Sequence, residues 1–279
     1  MIWGETFVNT KILTLHGMTP AEIFVVRFFL AYVCIWFVSP KRLFCNNWKD
    51  ELWMVLLGIT GGSLYFVTEN MAVKLTYVNN VSFIVSTAPL ITTLLALALF
   101  KEFKAGWKLI AGSVLALLGV GIVIFNGQCV LHLNPLGDLL ALTSSVCWAI
   151  YSLLIRNVSK NYNAAFLTRK VFFYGLITML PLFIMEPWNF PLRNFLKPEI
   201  YTNALFLGVV ASFLCFLLWS WVIEKLGALK TTNYTYLNPL TTIVASAIFL
   251  NEPMTTIAYI GSAMILVGVI LANWQKDMI

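Results

Sequence analysis

Apolar positions in this chain are gathered into long blocks from which charge is missing, with no strand-like alternation. Leu75 to Phe100, Leu109 to Gly137, Ile200 to Ile223, Thr231 to Asn251 and Pro253 to Gln275 contain no Asp, Glu, Lys or Arg. About 20 mostly apolar residues in a helix cross a bilayer, so each run is a candidate span. Charged and turn residues divide the whole chain into ten apolar segments. They lie near 1–15, 21–39, 52–73, 79–100, 107–126, 136–157, 165–185, 202–223, 230–250 and 257–274. The breaks hold helix-stopping residues, among them Pro20, Pro40, Asn134-Pro135, Glu186-Pro187 and Asn251-Glu252-Pro253. The predicted fold is all-α: a polytopic membrane protein of ten transmembrane helices with no soluble domain.

Composition agrees, with 60% of residues hydrophobic and 11% charged, against about 25% charged in soluble domains. The net charge of +6 does not read as nucleic-acid binding, because the bases lie between the apolar blocks. Placing the N-terminus inside puts thirteen of the 18 Lys and Arg residues in inner loops and the tail, from Lys41 to Lys276. Only Lys74, Arg193 and Lys197 then fall outside, with Lys11 and Arg27 inside segments. By the positive-inside rule both termini are cytoplasmic, in the cytoplasmic membrane. Cys34, Cys45, Cys129, Cys147 and Cys215 form no CxxC and have no companion histidines, so they read as packing residues and not as a metal or disulfide framework. No basic n-region or A-x-A site marks a cleaved signal peptide.

Residues about 150 apart repeat. Leu57-Gly58 matches Leu207-Gly208, Pro89-Leu90 matches Pro239-Leu240, and Glu102 matches Glu252. Gly112 and Gly119 match Gly261 and Gly268. Trp3 and Lys11 match Trp148 and Arg156 at a spacing of 145, and Phe28-Phe29 matches Phe172-Phe173 at 144. Each half, 1–126 and 136–274, holds five segments, and an odd number turns the second half over. Two inverted five-helix repeats are the architecture of many secondary transporters, with the solute site between the halves near mid-membrane.

These residues resemble the drug/metabolite transporter superfamily, specifically its EamA-type members. The likeness rests on Trp3-Gly4, on Ala72 to Thr76 leading through Val81-Ser82 to Pro89, and on Glu102, Gly112, Gly119 and Gly121. The second copy repeats it in Leu226-Gly227-Ala228, Pro239, Glu252-Pro253, Gly261 and Gly268. The resemblance implies a carrier of small organic solutes, commonly an exporter, and leaves the solute open. One departure stands at the start. Trp148 lies about a dozen residues into its helix, whereas Trp3 opens the chain, so the first helix is only about 22 Å long at 1.5 Å per residue. The repeat therefore predicts about ten further apolar residues upstream of Met1.

Pro89 and Pro239 each remove a backbone hydrogen bond inside an apolar helix, and paired interruptions point to a transporter's binding site. On the third helix Gly58, Gly61, Gly62, Tyr65, Glu69, Ala72 and Thr76 share one stripe facing protein or a cavity. Trp53, Leu56, Leu64, Val67 and Met71 share the opposite, lipid-facing stripe. Intramembrane charge is expensive and is either paired or functional. Glu5, with Asn9 one turn away, falls near mid-depth, while Arg27 and Glu69 fall at similar depths and are a candidate charge pair. Lys11 and Lys74 are near enough to a boundary to snorkel, and Glu102 and Glu252 read as helix-end residues. Trp148, Tyr151, Trp219, Tyr236 and Asn238 complete the candidate cavity. Glu69 corresponds to Trp219 in the other half, so the cavity is asymmetric in charge and suits an amphipathic or apolar solute better than a highly charged one; the solute class predicted for the carrier is an amino-acid-like or amphipathic metabolite.

The predicted function is a secondary transporter working by alternating access, with a small-molecule solute and the lipid bilayer as partners, a coupling proton or ion as a further candidate, and no cofactor. The second half lacks the bases in its last two helices that a phosphorylated solute would need. HExxH, GxSxG, paired catalytic aspartates and a P-loop are all absent from the sequence, which argues against an intramembrane enzyme and an ATP-driven pump. A non-transporting membrane scaffold remains the alternative.

Overall fold

The computed structural model describes residues 2–39, 43–76, 78–100, 106–125, 134–240 and 256–274. Most of those residues are helical, and none forms a strand. In chain order the first helices are α1 (Trp3–Leu15), α2 (Pro20–Val38) and α3 (Trp48–Leu75). Helix α4 runs as Val78–Val85 and, after a two-residue break, Ala88–Leu99. Then follow α5 (Trp107–Phe125), α6 (Pro135–Val158), α7 (Ala164–Met185) and α8 (Pro198–Leu226). Helix α9 is described as Ala228–Asn233 tightening into a 3-10 turn, Tyr234–Leu237, and α10 spans Thr256–Asn273. Among the described residues seven helices are long and apolar enough to cross a membrane, by length and composition. Glu102, Glu252 and Cys129 lie outside the described residues.

Helix starts follow local chemistry. Thr19 and Glu22 form a capping box around Pro20, Asn134 caps the Gly137 N–H ahead of Pro135, and Asn163 caps that of Phe166. Glu22 also holds a distant loop, because its second oxygen accepts the N–H groups of Asn189 and Phe190. Of the stripes expected on α3, Gly58, Gly61, Gly62, Tyr65, Glu69 and Ala72 are buried and Trp53, Leu56, Leu64 and Met71 face outward, whereas Thr76 and Val67 are half-buried and Val67 packs against the core. Helix α3 begins four residues before its apolar segment, so it carries Glu51 into the packed region. Lys11 Nζ donates to the Val73 carbonyl near the end of α3.

Corresponding helices of the two halves are irregular at corresponding places. Helix α3 contains a π-helical turn at Ile59–Ser63, with Gly62 at φ −123° and ψ −105°, and α8 contains one at Phe206–Leu214. Helix α4 breaks at Ser86-Thr87 ahead of Pro89, and α9 tightens at Tyr234–Leu237 ahead of Pro239. The α4 break is chemically satisfied, because the Ile84 carbonyl accepts the Thr87 N–H, the Thr87 hydroxyl and, from α6, the Ser145 hydroxyl.

Helices α5 and α10 pack backbone to backbone. A Cβ on Gly112 would lie 2.6 Å from the Gly268 carbonyl oxygen and one on Gly119 2.7 Å from that of Gly261, so the two helices run antiparallel. Helices α3 and α7 meet the same way at Gly58, whose Cβ would fall 2.9 Å from the Gly175 nitrogen.

Candidate functional site

Between the halves lies a cavity whose lining is largely built of repeat-mates. Trp3 and Trp148 correspond in sequence, as do Phe66 and Phe216, Val85 and Thr235, and Ala88 and Asn238, and all eight line it. The last two pairs come from the interrupted stretches of α4 and α9, so the breaks before Pro89 and Pro239 bring small and polar groups to the cavity wall. The two prolines follow Ala88 and Asn238 directly in the chain. The cavity measures about 60 Å³, room for a few waters and well short of the roughly 300 Å³ or more of organic-ligand pockets. An organic solute therefore needs the walls to part.

Charge enters from the first half alone. Arg27 and Glu69 both line the cavity and are 2% and 6% exposed. Their positions in the other half are taken by Val171 and Trp219. Among the described residues no ion pair joins them. Glu69 Oε1 instead accepts the Tyr65 hydroxyl at 2.6 Å, a one-turn pairing that the i, i+4 spacing on α3 creates. Arg27 Nε donates to Ser212 Oγ at 2.9 Å, and its guanidinium carbon lies 4.1 Å from the Phe66 ring centroid. Ser212 belongs to the π-helical turn of α8, whose neighbouring Ala211 carbonyl accepts the Trp3 indole N–H at 2.8 Å. The widened turn of the second half thus holds two residues of the first, and such turns are frequent at functional sites.

The lining continues into an aromatic wall. Trp3, Trp148 and Trp219 form a triangle with each pair of ring centroids 5.2 Å apart, and Tyr65 and Tyr151 each lie 5.1 Å from Trp148. Gly61 makes room for Tyr151, whose Cδ2 a Cβ there would approach to 2.4 Å.

Of the candidates from sequence, Arg27, Tyr65, Glu69, Trp148 and Asn238 line the cavity. Tyr151 and Trp219 support Trp148 from behind, and Tyr236 is buried against α5 and α10. Glu5 is exposed, and the Asn9 side-chain amide donates to the Glu5 carbonyl of its own helix at 2.9 Å. Neither lines the cavity. Phe66, Phe216, Thr235 and Ser212 were not singled out from sequence. Phe66 and Phe216 carry a readable signal, since they match at the repeat spacing of 150. Ser212 carries none, because only the fold brings α8 to α2.

A second polar cluster ties the halves together at the end where α3 and α7 begin. Glu51 Oε1 accepts from Lys170 Nζ and from the Tyr174 hydroxyl, and Oε2 accepts the Cys45 N–H at 2.8 Å. Asp50 accepts the Tyr162 hydroxyl at 2.7 Å, and that oxygen accepts the Asn46 N–H at 2.8 Å. Arg169 donates to the Ser39 carbonyl at the end of α2. Among the described residues no group of His, Cys, Asp and Glu could hold a metal ion.

The model of the EamA-like transporter family matches residues 1–125 and 135–274. An uncharacterised transporter of Archaeoglobus fulgidus is 25% identical over 99% of this chain and 95% of its own. A probable terminal-alkyne amino-acid exporter of Streptantibioticus cattleyicolor is 25% identical over 97% and 89%, and a probable amino-acid metabolite efflux pump of Escherichia coli 22% over 99% and 94%. A crystal structure of 17% sequence identity superposes with a TM-score of 0.78, covering 98% of this chain and 93% of the other, which establishes a shared fold.

Proposed function

The chain belongs to the EamA-like transporter family, whose members are membrane transporters and not enzymes, and on that premise we propose that it is a secondary exporter. It carries a small organic metabolite, amino-acid-like or amphipathic, across the cytoplasmic membrane by alternating access, with both termini in the cytoplasm. The observation that supports this most directly is the cavity lined by four repeat-mate pairs. When two inverted halves exchange conformations, the site changes the side it faces while keeping equivalent walls. The cavity's small volume suits an occluded stage of such a cycle. Two relatives named as a probable terminal-alkyne amino-acid exporter and a probable amino-acid metabolite efflux pump support the solute class and the direction.

Within this reading Glu69 is the working charge, receiving a proton or the amine of a solute beside Tyr65. Purified protein in liposomes should show solute-dependent counterflow, and a protein without counterflow for any metabolite tried would count as a scaffold. Glu69→Gln keeps shape and hydrogen bonding without the titratable charge. It is expected to melt within about 2 °C of wild type and to lose transport or its pH dependence. A fully active Glu69→Gln would remove the residue from the mechanism.

A further inference from the structure

Arg27 spends only part of its guanidinium on the protein. Nε is held by Ser212 and the flat face lies on Phe66, while Nη1 and Nη2 have no acceptor among the described residues. Nor are they sealed off, as Arg169 Nη2 is: that nitrogen is buried without a partner, and neither Arg27 nitrogen is in that condition. Arg27 is 2% exposed and lines the cavity, so the surface left to these two nitrogens fronts the cavity. A guanidinium held in a membrane interior is costly unless it meets a negative charge, and Glu69, whose Oε1 accepts from Tyr65, attracts it from the same lining without forming an ion pair.

We infer that Arg27 binds the carboxylate of the solute through Nη1 and Nη2, with Ser212 as the positioning residue that fixes the plane of the fork. The inference rests on reading this cavity as the solute site, and it narrows the solute to a monocarboxylate with an apolar remainder. The planar fork matches a carboxylate bidentately, as an ammonium could not. Anchored at Nε and on one face, the guanidinium has lost the freedom it would otherwise give up on binding. Val171 occupies the equivalent position in the other half, so the described lining has one cation, and with Glu69 holding a proton or the solute's amine it matches one carboxylate. A phosphate's second charge would go uncompensated next to Glu69. The remaining wall, Phe66, Phe216, Trp3 and Trp148, favours an apolar body for the solute.

The test compares carboxylates with their amides on the purified, detergent-solubilised full chain. 3-Phenylpropanoate and L-leucine are titrated against 3-phenylpropanamide and L-leucinamide, reading the rise in melting temperature. At least one carboxylate should stabilise, with its amide at least about tenfold weaker, the scale of a lost hydrogen bond to a charged group. Arg27→Met should abolish the discrimination. Ser212→Ala keeps the charge and a small buried residue, and should narrow the carboxylate-to-amide ratio with only the modest fall in unliganded melting temperature that loss of the one Nε hydrogen bond brings. That outcome separates positioning from a merely structural role and carries the test alone if Arg27→Met does not fold. Equal stabilisation by amides, no stabilisation by either carboxylate, or an unchanged ratio in Ser212→Ala overturns the inference. Counterflow of the ligand that binds is scored separately: binding without counterflow refutes the transport reading and leaves the anchor standing.

Discussion

Cys45 illustrates how one residue's chemistry is set by neighbours remote in pattern if not in distance along the chain. Burial first, and then the Glu51 carboxylate beside it, push its thiol up to about 12, against about 8.5 for a free cysteine. The sign follows directly, because a raised pKa keeps the thiol protonated through the physiological range, and the thiolate is the nucleophile. At pH 8 maleimide should therefore label Cys45 at least about tenfold more slowly than an exposed cysteine, with the rate climbing about tenfold per pH unit. Glu51→Gln should accelerate labelling, and mass spectrometry of timed reactions reads both rates. Equal rates for Cys45 and an exposed thiol would contradict the placement. From sequence Cys45 reads as a packing residue, which describes its partial burial and omits the charge. Nothing in the spacing of Cys45 and Glu51 announces a contact, since neither lies on a periodic stripe. Tyr65 and Glu69 differ in that respect, because their i, i+4 spacing on one helix makes the hydrogen bond legible once the helix is recognised.

At the scale of elements, the helix start that apolar runs place near residue 52 moves back to Trp48 for a physical reason. Counting apolar residues ends a segment at the first charge, but Glu51 and Lys170 bury one another, at 7% and 2% exposure, and hide two charges within packed helices. Such a pair contributes little over an apolar replacement, yet breaking it strands an ion. Glu51→Gln or Lys170→Met alone should destabilise the protein by an estimated 3–5 kcal/mol, while Glu51→Leu with Lys170→Met should recover most of that. Thermal melts of the three variants in one detergent decide it, and a double variant no better than the singles would show that the tie does more than neutralise. The π-helical turns of α3 and α8 were equally hidden from the sequence. Their matched glycines, Gly58 and Gly208, mark the place without revealing the widened turn, because a π-turn is a choice between near-equal hydrogen-bond registers that packing against α7 and α2 decides.

For the whole molecule, the helical class, the family and the doubling of the chain were all readable, because bilayer thickness and repeat spacing are long-range regularities that survive single-residue noise. The cavity was readable in part. Repeat-mates such as Phe66 and Phe216 point to it, whereas contacts between helices far apart in sequence, such as Arg27 with Ser212, exist only once the chain has folded. Orientation is a further global property, and with the positive-inside rule it makes Leu192 external and Asn161 cytoplasmic. Both are exposed and suit labelling better than the shielded Cys45. An impermeant thiol reagent added to intact cells should modify Leu192→Cys and leave Asn161→Cys untouched; the reverse pattern would invert the topology. The crossing of α5 and α10 has a consequence of another kind. Gly112 meets Gly268 and Gly119 meets Gly261, and in each contact one partner is the repeat counterpart of a glycine in the other contact. The seam therefore reads the same from either half, as if one peptide had met its own inverted copy. A side chain larger than hydrogen at any one of these four positions would meet the backbone of the facing helix, so a bulkier residue in either half pushes on the same seam and each half limits what the other can carry there.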